Sequence, residues 1–426
     1  MNKYQTSQIR NIVLVGAKGA GKTSFVESVL FTAKLTSRIG RVDEGNSIVD
    51  YDSLEIERKQ SITSKLIVTE WEKTKINLID TPGYSDFIGE VVGAVSAADV
   101  ILFVIDSSNG VDIAAKRLFS IVSEFNKPFA FFINKMDSER ADLESSLESI
   151  KELTSGIALF QLPIGTGADF KGTINLLDSS ANIPADLNDK VKNLKTELME
   201  AIAESDEALL EKYLEQGSIS EQEMTSAVSK GIALGQTHPV YLGSSISAAG
   251  FDSLLNSMVR DFPSPDLLPP VKVKRPDNSE IELTSDANGP LVAQVFKTTS
   301  DPGIGDIFFF RVWSGTAKSG GDVYNANHNT SERMGHIIVT RGKERMEIAE
   351  APAGDIGAVA KLKSTTINNT FTIKNNTFVC NQISFPKPVV PMAVKPKTKK
   401  DQDKLGVALS KLISIDPTIK YHIDKE

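Results

Sequence analysis

Residues 11–23 read NIVLVGAKGAGKT. The first five form an apolar run of the kind that makes a buried parallel strand. They lead straight into Gly16-Ala17-Lys18-Gly19-Ala20-Gly21-Lys22-Thr23, and residues 24–33 then carry a helical apolar pattern. Strand, glycine-rich loop and helix in this order make a phosphate-binding loop. Glycines let successive N–H groups curl toward phosphate oxygens, and the helix N-terminus adds the positive end of its dipole. In such a loop Lys22 reaches the β- and γ-phosphates, the Thr23 hydroxyl ligates Mg²⁺, and Ser24 continues the nest.

Working outward, residues 76–79 form a second apolar strand that ends at Asp80-Thr81-Pro82-Gly83. A carboxylate at that place can hold Mg²⁺ through water, and the Gly83 N–H can sense the γ-phosphate. Alone, this would be a plain turn; after a P-loop it reads as its partner. Residues 128–133 run into Asn134-Lys135-Met136-Asp137. Guanine presents two donors on one edge, and one carboxylate accepts both, so Asp137 fits guanine. Adenine would leave that carboxylate unpaired, at a cost of roughly 1–3 kcal/mol or more. Asn134 would brace the loop, and the Lys135 stem would cover the purine face. Gly243-Ser244-Ser245 follows the strand 240–242, and its N–H groups would meet the guanine O6. Taken together these words predict GTP or GDP as ligand, with Mg²⁺.

Beyond these motifs the chain resembles elongation factor G, a translational GTPase. The likeness rests on Gly40-Arg41-Val42-Asp43-Glu44-Gly45, IERKQSITS at 56–64, LEKYL at 210–214 and FFRVWSG at 309–315. Ala353-Gly354-Asp355-Ile356 and KLGVALSKLISIDPTIK at 404–420 extend it over nearly the whole chain. The resemblance implies a multi-domain chain. An α/β P-loop GTPase domain with an inserted subdomain is followed by a β-barrel and the start of an α+β domain. The expected boundaries are 1–285 with an insertion at about 157–237, then 286–385, then 386–426. It also implies action on the ribosome, touching both subunits near the factor-binding site.

Departures from the family pattern sharpen this reading. The family carries histidine after DTPG, to orient the attacking water; here that place is Tyr84, and no histidine precedes His238. A phenol, with a pKa of about 10, hydrogen-bonds water but does not become a cation near neutral pH. The Gly-Tyr-Ser-Asp-Phe run is similar to elongation factor G-like paralogues. Lys22, Gly83 and Tyr84 are therefore the expected catalytic residues, with GTP hydrolysis weakened by Tyr84. Lys18 stands where the family has an apolar residue, and Gly19 where it has Asp. Lys18 either adds a charge near the phosphates or is simply solvated. The family's switch-one threonine falls on Ser61, with Thr63 as the other candidate, so the expected Mg²⁺ ligands are Thr23, Ser61 and Asp80. Over the 426 residues the likeness extends into the start of the family's third domain. The alternative readings are a non-hydrolysing GTP-dependent ribosome-binding regulator, or an inactive fragment of a longer elongation factor G-like protein.

Composition agrees with an ordinary globular chain: 40% hydrophobic and 24% charged residues over 426 positions. At about 150 residues per domain, that length suggests about three. A single cysteine, Cys380, excludes an intrachain disulfide and suits a reducing cytoplasm. The longest apolar runs, at 100–105 and 129–133, are too short to span a membrane. A net charge of −8 argues against binding nucleic acid by bulk charge, and no sequence-specific DNA contact is expected. A monomer is expected. The lysines Lys387, Lys395, Lys397, Lys399, Lys400 and Lys404 lie among prolines and read as a solvated linker that could touch rRNA phosphate.

Residues 1–156 alternate strand and helix, which predicts a parallel sheet with helices on both faces. The long polar stretch 40–59 sits where switch one belongs, and the helix expected at 87–98 is switch two. Residues 189–215 read as one long amphipathic helix with Leu194, Leu198, Ile202, Leu209 and Leu210 on its apolar face. A helix at 251–262 closes the fold, and 263–288 reads as a Pro/polar linker. Short strands with Gly, Asp and Asn turns over 289–384 predict a barrel. A last helix is expected at 402–414.

Overall fold

In the computed structural model, which describes residues 2–178, 183–203, 207–216, 219–388 and 390–422, the apolar runs lie side by side as one sheet. Its strands are β1 (Ile9–Val15), β2 (Lys65–Trp71), β3 (Thr74–Asp80), β4 (Val100–Asp106), β5 (Phe129–Asn134), β6 (Ile157–Leu159) and, after a hairpin β7 (Gln161–Ile164)–β8 (Gly172–Asn175), β9 (His238–Leu242). The order is β2-β3-β1-β4-β5-β9-β6. Every pairing is parallel except β2 with β3. Alternate residues of β1 feed opposite faces, as the two-residue period of a strand requires. Ile12 and Leu14 join Phe25, Val29, Phe132 and Phe251 on one side. Val13 and Val15 join Val92, Phe103, Phe119 and Phe131 on the other. The helices of this part are α1 (Lys22–Thr32), α2 (Ser53–Arg58), α3 (Ile88–Ala97), α4 (Ile113–Ser123), α5 (Leu143–Lys151), α6 (Asn188–Ala203), α7 (Glu207–Gln216), α8 (Glu221–Ala233) and α9 (Phe251–Asp261).

Several expectations need correction. The sheet is not all parallel, because β2 folds back on β3 through Glu72 and Lys73, both left-handed at φ 46° and 63°. That is the backbone of a tight two-residue hairpin turn. The polar stretch 40–59 contains a helix, α2, capped by the Asp52 carboxylate on the Leu54 N–H. The strand β6 opens the stretch expected as an insertion, yet it pairs with β9 as the sheet's outermost strand. The long helix expected at 189–215 is described as α6 and α7, with residues 204–206 between them outside the described residues. Leu198, Ile202 and Leu209 are buried, so its apolar face is core.

Within the expected linker, β10 (Val271–Lys274) and β11 (Glu280–Leu283) form a hairpin that the strand Val379–Cys380 joins. Cys380 is buried there beside Val273 and Phe378, and burial pushes its thiol up to about 12. The long strands β12 (Val292–Asp301) and β13 (Gly305–Ser314) lead an eight-stranded sheet of the barrel. Its interior holds Val295, Phe310, Val312 and Phe371. Phe296, Ile307, Phe309 and Val339 of the same sheet are continuous with the core under α3 and α4. The last helix is α10 (Lys399–Ile415), and Lys387, Lys395, Lys397 and Lys404 are exposed. Among the described residues no helix is long and apolar enough to cross a membrane.

A buried polar seam joins the barrel to the N-terminal ends of the sheet strands. Lys75 Nζ donates to both oxygens of Asp355 at 2.7 Å. Arg311 Nη2 donates to Asp99 Oδ1 at 2.7 Å. Asn11 Nδ2 reaches Asp99 Oδ2 at 2.6 Å and the Gly354 carbonyl at 2.8 Å. Such pairs fix geometry more than they add stability, but removing one partner strands the other charge. Arg311→Ala is therefore expected to destabilise the fold by about 3–5 kcal/mol, read as a lower midpoint in denaturant unfolding; a shift under about 1 kcal/mol would mean Asp99 finds another partner.

Candidate functional site

Every sequence-predicted element of the pocket arrives at the C-terminal ends of the parallel strands, where open α/β sheets bind ligands. β1 delivers the P-loop. At Gly16 any Cβ would stand 2.4 Å from the Val104 carbonyl oxygen, so the loop leaves the strand against β4. Gly19 and Gly21 are left-handed, at φ 81° and 93°, and Gly21 directly precedes α1. Lys22 is buried, and its ammonium donates to the carbonyls of Gly16 at 2.7 Å and Ala17 at 3.2 Å. Burial lowers its pKa to about 8, against the opposing pull of Asp80 and Asp50. Ser24 is half-buried in the first turn of α1. Gly83 closes over this loop so tightly that a Cβ would lie 2.7 Å from Lys22 Nζ. Tyr84 follows, half-buried, with the Lys18 ammonium 4.5 Å from its ring centroid.

The residues expected to hold Mg²⁺ form one hydrogen-bonded chain. Thr23 Oγ1 donates to Asp80 Oδ2 at 2.7 Å and lies 2.9 Å from Ser61 Oγ, which donates to Asp50 Oδ2 at 3.0 Å. Thr63 points elsewhere: its N–H meets Glu55, and its hydroxyl receives Lys65 Nζ at 2.7 Å. Asp50 was not singled out by its sequence context. The remaining oxygens, Asp50 Oδ1 and Asp80 Oδ1, are buried with no partner among the described residues. Two hydroxyls and two carboxylates are a hard all-oxygen donor set, which fits Mg²⁺.

Switch one is drawn onto α1 by one carboxylate. Glu27 is buried and accepts from the Gly40 N–H at 3.1 Å, the Ser47 hydroxyl at 2.6 Å and the Ile48 N–H at 2.7 Å. Switch two is tied likewise. Glu90 of α3 accepts from the Ser64 N–H at 2.7 Å and hydroxyl at 2.6 Å, and pairs with Lys297 of the barrel.

At the other pole, the Asn134 side chain bridges two loops. Its Nδ2 donates to the Ala20 carbonyl of the P-loop at 2.8 Å, and its Oδ1 accepts from the Ser245 N–H at 2.9 Å. Lys135 is left-handed at φ 62°, and its ammonium pairs with Asp106 at the end of β4 at 2.7 Å. The Met136 N–H bonds the Gly243 carbonyl at 3.2 Å, which locks NKMD to GSS. Ser244 is pinned by its N–H on the Ala249 carbonyl at 3.1 Å. Asp137 Oδ1 is buried with no partner among the described residues, and so is Ser245 Oγ. An acceptor held in a loop without a donor fits a purine edge that brings two.

Three family models match along the chain. Residues 7–264 match the model of the elongation factor Tu GTP binding domain. Residues 290–374 match elongation factor G domain 2, and 385–426 match its domain III. The chain belongs to the elongation factor G-like translational GTPases. A crystal structure of a protein from Thermus thermophilus superposes with a TM-score of 0.85 at 28% identity, covering 99% of this chain. This chain spans 63% of that one's length. The family membership accounts for the order of parts: a nucleotide sheet first, then the barrel packed on switch two, then the start of a further domain.

Burial first, and then the Asp80 charge, raises the Asp50 carboxyl to about 7; burial raises Asp80 to about 6. Raised acid pKa values mean that the fold holds protons the unfolded chain has released. Stability of the nucleotide-free protein is therefore expected to fall as pH rises from about 4 to about 7. Denaturant unfolding without divalent cations at pH 5 and pH 8 checks this, with Asp50→Asn expected to flatten the difference; equal stability of the wild type at both would contradict it.

Proposed function

We propose that this chain binds GTP and GDP with Mg²⁺ and acts on the ribosome as a translation factor of the elongation factor G type, hydrolysing GTP slowly. The observation that carries the reading is the Asn134 bridge between Ala20 and Ser245, which holds the phosphate and base loops at a set separation. Asp137 would accept the two guanine donors, and the Lys135 stem, steadied by Asp106, would cover the ring. Lys22 would leave the P-loop carbonyls for the phosphates, whose charge it matches better. Thr23, Ser61 and Asp80 would hold Mg²⁺, with Asp50 behind Ser61. When bound, the metal neutralises phosphate charge. Tyr84 would hydrogen-bond the attacking water without adding a positive charge, which keeps hydrolysis slow.

We assign residues 1–285 to the GTPase unit, 286–385 to a barrel that docks on the ribosome, and 386–426 to the start of an α+β domain. A monomer in the cytoplasm suits this role. Loss of the γ-phosphate would release Ser61 and Gly83 together and loosen both switches. The Tyr84 phenol also favours a second reading, a regulator that binds the ribosome with GTP and does not hydrolyse it. Ribosome-stimulated phosphate release separates the two.

Two substitutions test the reading. Asp137→Asn is expected to shift preference from guanosine to xanthosine nucleotides, with at least about a tenfold loss of GDP affinity; unchanged preference in competition titrations would count against the base pocket. Tyr84→His is expected to raise the ribosome-stimulated rate by about tenfold or more. A wild-type rate already equal to that of a histidine-bearing factor would contradict the slow-hydrolysis assignment.

A further inference from the structure

Lys18 is exposed on the outer turn of the P-loop, yet its ammonium is not simply solvated. It lies 4.5 Å from the centroid of the Tyr84 ring, within the range of a cation–π contact. The neighbouring backbones touch as well, because a Cβ on Gly83 would stand 2.8 Å from Lys18 N and 2.9 Å from Lys18 Cα. The loop after Asp80 therefore meets the P-loop twice, once main chain to main chain and once ammonium to ring. Tyr84 is extended, at φ −90° and ψ 140°, and half-buried.

The mouth of the phosphate nest thus carries two ammonium groups of different standing. Lys22 is buried on the inner wall, bonded to the Gly16 and Ala17 carbonyls. Lys18 stands at the rim, beside the Gly83 peptide. A ring face engages one side of an ammonium and leaves the N–H donors on the far side free for an anion. A free lysine stem would have to give up rotamer freedom to meet an anion at the rim, and a stem already resting on a ring gives up less.

We propose that Lys18 is a second phosphate-facing cation, held at the rim by the Tyr84 ring, and that the pair favours a nucleoside triphosphate over the diphosphate. The inference rests on the guanine-nucleotide reading above and assigns Lys18 and the Tyr84 ring to the γ-phosphate end of it. Tyr84 then has two separable parts. Its ring positions Lys18, which leaves its hydroxyl for the attacking water of that reading.

The test is titration of GDP and a non-hydrolysable GTP analogue, with Mg²⁺, into the wild type, Lys18→Ala, Lys18→Arg, Tyr84→Phe, Tyr84→Leu and the Lys18→Ala/Tyr84→Leu double variant. Lys18→Ala is expected to lower the triphosphate-to-diphosphate affinity ratio by about fivefold or more. Lys18→Arg and Tyr84→Phe, which keep a cation and a ring, are expected to retain the ratio. Tyr84→Leu is expected to lower it by about two- to fivefold, and the double variant to be no worse than Lys18→Ala alone. The midpoint of denaturant unfolding serves as the folding control throughout. An unchanged ratio in Lys18→Ala overturns the proposal, and so do additive losses in the double variant, because the ring would then act without Lys18. A wild type that binds neither nucleotide overturns the underlying pocket reading instead, which is a different and recognisable result.

Discussion

One buried side-chain amide sets the geometry of the nucleotide pole. Asn134 ends β5, and both ends of its amide are spent on loops that come from far apart in the chain: Ala20 before α1 and Ser245 after β9. A donor on one side and an acceptor on the other also fixes which way the amide points. The neighbouring backbone is shaped around it, since a Cβ on Gly21 would stand 2.3 Å from Asn134 Nδ2. The glycine therefore serves the asparagine as much as the phosphate nest. With the Ser28 hydroxyl on the Ser245 carbonyl at 2.6 Å, this bridge ties the P-loop and its helix to the base loops.

A second set of constraints makes the switches and the barrel one mechanical system. Glu27 gathers the start of switch one, Ser61 hangs on Thr23 at its end, and Gly342 of the barrel packs so close to Ile48 that a Cβ there would meet its carbonyl oxygen at 2.4 Å. Glu90 links Ser64, at the exit of switch one, to Lys297 of the barrel through the switch-two helix. Meanwhile Asp99–Arg311 and Lys75–Asp355 clamp the barrel to the opposite ends of the strands. Polar contacts therefore lead from Ser61 to Thr23 at the phosphate mouth and from Ser64 through Glu90 to Lys297 of the barrel, and the seam ties the barrel to the other ends of the strands.

Much of this was legible in the chain because the key words are contiguous. Strand, loop and helix around Gly16–Thr23 are written in one stretch, and Asp80, Asn134 and Gly243 each follow an apolar run. The parts that escaped reading depend on tertiary contact or on weak turn chemistry. Asp50 is a single acid in a polar loop, and only folding brings it to Ser61. Asp106 ends its strand without any motif, yet it steadies Lys135. The β2–β3 hairpin turns on Glu72-Lys73, where the usual signal would be Asn-Gly. The hairpin β10–β11 hid in a stretch whose prolines read as linker, although VKVK and EIEL alternate as edge strands do. Ser61 and Thr63 are equivalent as residue types, and only the contacts to Thr23 and Glu55 tell them apart.

A single pocket that grips a guanine base and a polyphosphate together loses affinity when either half of the ligand is changed or removed. Competition binding of wild-type protein with GDP, ADP and guanosine, in the presence of Mg²⁺, reads both halves at once. Tight binding of GDP is expected, with at least about a hundredfold weaker binding of ADP because the Asp137 carboxylate would be left unpaired, and weak binding of guanosine, which lacks the phosphates of GDP. ADP bound as well as GDP, or guanosine bound as well as GDP, would contradict it.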